Sequence, residues 1–414
     1  MPKASSQPLS ALLAINKPTG VPSMTLLNNL QPLFQSSSLF KDQSKKDDAA
    51  QNGGGKGGKG GKGGRRRKWK EEKVKMGQGG TLDPLADGVL VIGTNAATKS
   101  LSRFLDCTKS YRAIGLLGSS TDSYDSEGKR VRDVGGWENI TKEQVEGVLD
   151  RFRGEIEQVP PIYSALKMDG KPLYEYARTN TPLPRPIPSR KVTVSSLRLL
   201  RFSPGTEHEY DPPSEVLGEK ERLEVERLEK MVREGGTVVP SEEEVQKLDG
   251  EKAETAPVEA STSAPPSSSS AARPPIFELT LTVSSGTYIR SIVHDIGAAL
   301  GSAAHVVKLT RTRQGEFALD DHVEEPASLP SSTAPAPAAT PSADGAAEEK
   351  KDGEAEVVKP AENLGCVDWA LLDSAIKALE AAKKAGDDPR MEKERDAEGW
   401  LEWEREVLRR CKEV

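Results

Sequence analysis

The chain has 414 residues, of which 35% are hydrophobic and 5% aromatic, and a formal net charge of −6 at pH 7. That length would allow two or three domains, but so small a hydrophobic share excludes one packed core running through all of it. Cys107, Cys366 and Cys411 are odd in number and far apart, which argues against a disulfide framework; His208, His294, His305 and His322 show no metal-ligand spacing with them.

In chain order, Leu12 to Asn16 is a short apolar run that predicts a strand ending at a Lys-Pro turn. Ser23 is placed to cap a helix from about Met24 to Leu33. Residues 9–34 thus open the fold. Residues 35–73 differ: a glycine run from Gly53 to Gly64 is broken by Lys56, Lys59 and Lys62, and Arg65-Arg66-Arg67-Lys68-Trp69-Lys70 follows. This stretch reads as a flexible surface insertion, an arm for RNA phosphates, or a nuclear-import patch.

Residues 74–203 carry the densest apolar patterning. Val89 to Gly93 predicts a strand. Thr98 to Leu105 predicts a helix with Leu101, Phe104 and Leu105 on one face, and Tyr111 to Leu117 a second strand. Thr121 to Gly128 is a polar turn. Thr141-Lys142-Glu143-Gln144 resembles a capped helix start, and Val192 to Leu200 alternates like a strand.

A second insertion spans 204–273. Glu215 to Glu234 predicts a charged helix, and Ala253 to Ala272 is rich in Ala, Pro and Ser and is expected to be disordered. The fold resumes over 274–325, with an alternating strand from Ile276 to Val283 and a helix from Ser291 to Leu300. Residues 326–360 read as a disordered linker. Residues 361–414 read as a C-terminal helical segment, with helices at 364–384 and 392–412. Strands and helices without regular βαβ alternation predict an α+β fold. No apolar run approaches the roughly 18 residues of a membrane helix. Met1 to Ser10 lacks both a signal-peptide apolar region and the arginines of a mitochondrial presequence.

The net charge misleads about partners, because acidic residues concentrate in the insertions. Residues 65–75, 99–112, 185–201 and 308–313 are basic, and segmental charge decides partner class.

Gly77-Gln78-Gly79-Gly80-Thr81-Leu82-Asp83-Pro84-Leu85-Ala86-Asp87-Gly88-Val89-Leu90 is the most chemically pointed stretch. Glycines let backbone approach a bulky ligand, and the proline fixes the turn after Asp83. Asp83 is a candidate nucleophile or general base, or else the Asp of a surface turn.

That block resembles the catalytic motif of the TruB family of pseudouridine synthases. Further blocks resemble the family in the expected order: Asn16-Lys17-Pro18-Thr19-Gly20, Lys109-Ser110-Tyr111-Arg112-Ala113, Gln158-Val159-Pro160-Pro161-Ile162-Tyr163-Ser164-Ala165-Leu166-Lys167, and Ser285-Gly286-Thr287-Tyr288-Ile289-Arg290. Leu309 to Phe317 follows just after the last of these.

The resemblance implies a mixed, mostly antiparallel sheet with flanking helices and a cleft across its middle, interrupted here by low-complexity insertions. It implies conversion of uridine to pseudouridine at position 55 in the T loop of tRNA, with no cofactor and no metal. Asp83 would attack C1′ or remove a proton from C2′. Arg290 would pair with Asp83, and Tyr111 would lie against a flipped-out uracil. Lys17 would buttress the loop. Lys109, Arg311 and Arg313 are candidate phosphate contacts, with Lys99, Arg103, Arg112 and Lys308 beside them. Many members carry histidine in a Gly-His-x-Gly pattern where this chain has Gln78, so an RNA-positioning role remains there but imidazole chemistry does not.

The expected partner is the T arm of tRNA, with messenger RNA as a second substrate to consider. A monomer without membrane association is expected, in the nucleus and with mitochondrial or cytoplasmic pools to consider. Bacterial relatives carry a C-terminal PUA domain, and no matching β pattern follows residue 326. Two other readings fit the motifs: a guide-RNA-dependent, dyskerin-like synthase, and a tRNA-folding chaperone.

Overall fold

The computed structural model describes residues 8–41, 73–164, 166–179, 181, 183–219, 221–223, 225, 273–320, 364–386 and 395–414. The expectations for the basic run at 65–70, for Ala253 to Ala272 and for 326–360 fall outside these residues. Of the charged helix expected from Glu215, the helical residues described begin at position 219.

The described elements are, in order, β1 (Ala11–Lys17), α1 (Ser23–Ser36), β2 (Met76–Gln78), β3 (Asp87–Thr94), α2 (Ser102–Asp106), β4 (Lys109–Leu117), β5 (Ser119–Thr121), β6 (Arg130–Asp133), α3 (Lys142–Val148) and β7 (Gly154–Gln158). Then come β8 (Lys167–Met168), β9 (Lys171–Pro172), α4 (Leu173–Arg178), β10 (Arg190–Ser203), β11 (Ile276–Val283), α5 (Ile289–Ala299), β12 (Ala304–Gln314), β13 (Phe317–Ala318), β14 (Cys366–Asp368), α6 (Trp369–Ala385), α7 (Glu402–Arg410) and β15 (Lys412–Glu413).

The main sheet runs β14-β1-β3-β12-β4-β11-β10-β7. Its β14–β1 and β3–β12 pairs are parallel and the other pairs along this path antiparallel. The fold is therefore α+β on a mixed, mostly antiparallel sheet, as the sequence predicts.

Strand alternation divides the core between two faces. Leu13, Ile15, Leu90, Ile92, Tyr111, Ala113, Leu279 and Leu281 pack with Leu26, Leu30 and Phe34 of α1 and with Ile292, Val293 and Ile296 of α5. Leu12, Ala14, Val89 and Val91 belong to a separate cluster with Leu101 and Phe104. Gly88 lies where β3 meets β12; it has φ 94°, and a Cβ there would stand 2.3 Å from the Arg311 carbonyl oxygen. Only glycine lets these strands approach so closely.

Several local expectations change. The Thr98–Leu105 helix is a 3₁₀ turn (Asn95–Leu101) followed by α2. The change of helix type alters the facing, so Leu101 and Phe104 are buried while Leu105 is 53% exposed. Thr141 and Gln144 do form a reciprocal capping box at α3. Ser23 does not cap α1: Pro22 occupies the N-cap position and Ser23 bonds elsewhere. Residues 364–414 supply two strands as well as helices. β14 and β15 both pair with β1, so this segment is woven into the sheet.

Asn95 joins three distant stretches. Its backbone N–H donates to the Lys75 carbonyl (2.8 Å), and its side-chain amide donates to the carbonyls of Leu9 (2.9 Å) and Phe40 (3.2 Å). No described helix is long and apolar enough to cross a membrane.

Candidate active site

The loop from Thr81 to Ala86 crosses between β2 and β3 and is held from two sides. On one side are residues 17–23. Lys17 is fully buried, and its ammonium donates to the carbonyls of Pro18 (2.8 Å), Pro84 (3.3 Å) and Ala86 (2.5 Å). Thr19 donates from Oγ1 to the Leu85 carbonyl (2.7 Å), and the Gly20 N–H to the Pro84 carbonyl (2.8 Å). The Ser23 hydroxyl donates to the Leu82 carbonyl (3.0 Å) and accepts from the Leu82 N–H (3.1 Å). Buried backbone groups need such partners, and a loop so fully bonded has little freedom. Burial lowers the Lys17 pKa to about 8, with Asp87 and Asp83 acting in the opposite direction.

On the other side is β12. Arg311 is buried; its Nε donates to the Val89 carbonyl (2.7 Å) and Nη2 to the Gly80 carbonyl (3.3 Å). Gln314 donates from Nε2 to the carbonyls of Gly79 (2.7 Å) and Phe104 (2.9 Å).

Arg290 reaches this loop from the first turn of α5. A cation there opposes the helix dipole, but three elements turn carboxylates and carbonyls toward it. Its Nε lies 2.9 Å from Asp83 Oδ2, and Nη1 lies 3.4 Å from Asp125 Oδ2. Nη1 also donates to the Ser123 carbonyl (2.6 Å), and Nη2 to the Tyr163 carbonyl (2.9 Å). The Arg290 side chain is 5% exposed and that of Asp83 41%. One carboxylate oxygen is thus fixed by a charge-assisted bond while the group stays open to solvent.

The start of α5 is fixed in turn by Gln158. Its Nε2 donates to the Tyr288 carbonyl (3.0 Å) and its Oε1 accepts from the Tyr288 N–H (2.8 Å).

Asp125 is buried and accepts from the Ser123 hydroxyl (2.6 Å) and the Glu127 N–H (3.1 Å). Burial raises its pKa, and the Arg290 charge limits the rise. Sequence reasoning treated 121–128 as a polar turn and missed Asp125, Ser123 and Asp122. A signal was present, since Thr121-Asp122-Ser123-Tyr124-Asp125 directly follows a largely buried strand, where polar side chains need partners. Gln314 and Ser23 were also missed as supports of the loop.

Tyr111 is buried on the helix-bearing face of β4 and pairs in register with Arg311. Gln78 donates from Nε2 to the Thr81 hydroxyl (3.0 Å). The expected phosphate contacts fare differently. Arg311 is no surface cation, because its guanidinium is spent on backbone carbonyls. Lys109 is buried as well, donating to the carbonyls of Leu105 (3.0 Å) and Cys107 (2.7 Å). Arg313 is half-buried and donates from Nε to the Gly315 carbonyl (3.0 Å).

Arg112 and Lys308 line a hollow of about 700 Å³ with Ile114 and Glu278. Strand alternation puts this hollow on the sheet face opposite Tyr111. Arg103 pairs with Glu316 at 2.6 Å, and Lys99 is exposed. Among the described residues, no group of His, Cys, Asp and Glu is placed to hold a metal ion.

A half-exposed carboxylate held by a buried guanidinium can serve as nucleophile or base. Comparison with known proteins gives that geometry a context. Residues 66–211 match the TruB family pseudouridylate synthase (N terminal domain), and residues 290–326 match the tRNA pseudouridylate synthase B C-terminal domain. The chain is 40% identical over 339 residues to tRNA pseudouridine synthase 4 of Schizosaccharomyces pombe, covering 75% of this chain and 80% of the relative. It is 35% identical over 334 residues to tRNA pseudouridine synthase 4 of Saccharomyces cerevisiae, covering 75% and 78% respectively. It is 32% identical over 316 residues to pseudouridylate synthase TRUB1 of Homo sapiens, covering 76% of this chain and 63% of that one.

Proposed function

The chain belongs to the TruB family of pseudouridine synthases, and we propose that it isomerises a uridine in the T loop of tRNA, at position 55, with Asp83 as the essential carboxylate. The observation that carries the role of Asp83 is its 2.9 Å contact with the buried Arg290. An adjacent cation fixes the direction of the carboxylate through a charge-assisted hydrogen bond, which both roles of a carboxylate at a sugar carbon require. The names of the fungal relatives support tRNA as the substrate.

In this reading the target uridine leaves the base stack, because its reacting atoms are inaccessible within a helix. Asp83 attacks C1′ or takes a proton from C2′. The N1–C1′ bond breaks, the uracil turns, and C5 bonds to C1′ as the Asp83–C1′ bond breaks or the proton returns to C2′. The C5 proton departs and N1 ends protonated, so the overall change is an isomerisation. Tyr111 lies against the uracil, and Gln78 and Arg313 serve as RNA contacts. The chain acts alone and as a monomer. The basic run from Arg65 to Lys70 supports action in the nucleus, and messenger-RNA uridines in a like-shaped loop are further candidate substrates.

The test is tritium release from tRNA transcript labelled at uracil C5, with no guide RNA present. The wild type is expected to release tritium. Asp83→Asn should not, and neither should the wild type on a transcript lacking that uridine. Binding without release by the wild type would sink the assignment and favour a guided enzyme or a folding chaperone.

A further inference from the structure

Two acceptors of Arg290 Nη1 flank a single residue. The Ser123 carbonyl accepts from this nitrogen at 2.6 Å, and Asp125 Oδ2 lies 3.4 Å from it. Between them stands Tyr124, at φ 62°. Left-handed backbone is costly for a bulky side chain and persists only where the surroundings hold it. With Tyr124 in this conformation, the carbonyl before it and the carboxylate after it meet the same nitrogen.

Two elements hold Tyr124. From β12, the Val306 N–H donates to the Tyr124 carbonyl (3.0 Å), and the Val306 carbonyl accepts from the Ser126 N–H (2.8 Å). From α5, the His294 imidazole stacks on the Tyr124 ring, with centroids 4.0 Å apart and planes 18° from parallel. His294 is buried and lies four positions after Arg290. That spacing puts both side chains on one face of the helix. The helix that carries the guanidinium therefore also carries the ring that seats the guanidinium's acceptors.

We propose that Tyr124 and His294 are a positioning pair for Arg290. Their stack locks the β5–β6 turn onto α5 in its left-handed form. Ser123 and Asp125 are then presented together to Nη1, and Nε is left aimed at Asp83. Both rings act through Arg290 and not on the uridine. The proposal rests on the reading of Asp83 and Arg290 given above, and adds to it two aromatic rings that set the guanidinium's direction.

A guanidinium has its five N–H donors in a fixed plane, so moving the acceptors at one corner tilts the whole group. Tilting Arg290 displaces the carboxylate it holds, and small displacements of reacting groups are costly in rate. His294→Ala removes the stack from the helix side. Tyr124→Gly removes it from the turn side, and glycine adopts the left-handed conformation without strain. His294→Phe puts a flat ring back.

The experiment is single-turnover tritium release at saturating enzyme, together with filter binding of the same tRNA and thermal melting of each variant. His294→Ala should slow the chemical step by about tenfold while tRNA affinity stays within about twofold of wild type. Tyr124→Gly should slow it likewise. The double variant should be no slower than the slower single one, as expected for two partners of one contact. His294→Phe should be faster than His294→Ala.

Wild-type rates in both His294→Ala and Tyr124→Gly would overturn the pair, even if melting temperatures fall, because the stack would then support the fold alone. Additive slowing would overturn it too, as would a loss confined to tRNA affinity or a His294→Phe variant no faster than His294→Ala. If His294→Ala does not melt cooperatively, Tyr124→Gly decides by the same rate-against-affinity split. An inactive wild type would instead overturn the proposed function, so the two failures are distinguishable.

Discussion

Arg290 is 5% exposed and Asp83 is 41% exposed, and the two meet at 2.9 Å. The cation is therefore the fixed member of the pair and the carboxylate the accessible one. Arg290 also faces buried Asp125, so one guanidinium is shared between two carboxylates.

Arg290→Lys keeps the charge and loses the planar fork. It should lower single-turnover activity on the order of 100-fold, the scale of a misplaced reacting group. Arg290→Ala leaves Asp125 buried without its cation and should also lower stability, by about 3 kcal/mol. Denaturant melts alongside rate measurements separate these effects. A fully active Arg290→Lys would show that charge alone suffices.

Lys17 yields a prediction with a definite sign. Burial holds its folded-state pKa near about 8, below the ordinary 10.5. Between these values the unfolded chain keeps a proton that the folded chain has released, so this residue's contribution to stability rises with pH over that window. Lys17→Met should lack the rise. It should also be less stable at pH 7 by about 3 kcal/mol, because three carbonyls lose their donor. Melts from pH 7 to 10.5 would reveal an unchanged slope if the lysine is irrelevant.

Arg311 separates support from substrate contact. Arg311→Met should lower stability by about 2 kcal/mol, because Val89 and Gly80 lose a charged donor. The salt dependence of tRNA binding should keep its wild-type slope, since that slope counts phosphate contacts. A shallower slope would restore the arginine to the RNA surface.

Tyr163 carries its own signature. Burial first, and Asp122 second, raise its phenol to about 12. Absorbance titration should find it ionising well above an ordinary tyrosine. Asp122→Asn should bring it part of the way down, because burial remains. No change on that substitution would show that burial alone raises the phenol.

The sequence made legible what periodicity and turn chemistry encode. The Ile276–Val283 strand and the Thr141 cap follow from alternation and local bonding alone, whereas the mostly antiparallel sheet follows from the family resemblance. Asp83 and Arg290 were legible as partners through family resemblance, not from their spacing. What stayed hidden depends on burial. Arg311 and Lys109 read as surface cations because composition cannot distinguish a charge that faces phosphate from one that faces carbonyls. Asp125 read as turn polarity because its partner lies 165 positions away and approaches only when α5 docks. Ser23 looked like a helix cap because caps are local, and its actual bond to Leu82 is not.

Asn95 gathers Leu9, Phe40 and Lys75 onto one amide and one N–H. The last two are the stems on either side of residues 42–72, so both stems are moored to one residue of the enzyme's body. The entropy of closing a loop grows only with the logarithm of its length. Chain between moored ends can therefore be lengthened, shortened or rewritten with little consequence for the sheet. This is a natural graft point: lineages could vary the basic cargo carried there, and an experimenter could place a reporter there, without re-solving the folding of the catalytic body.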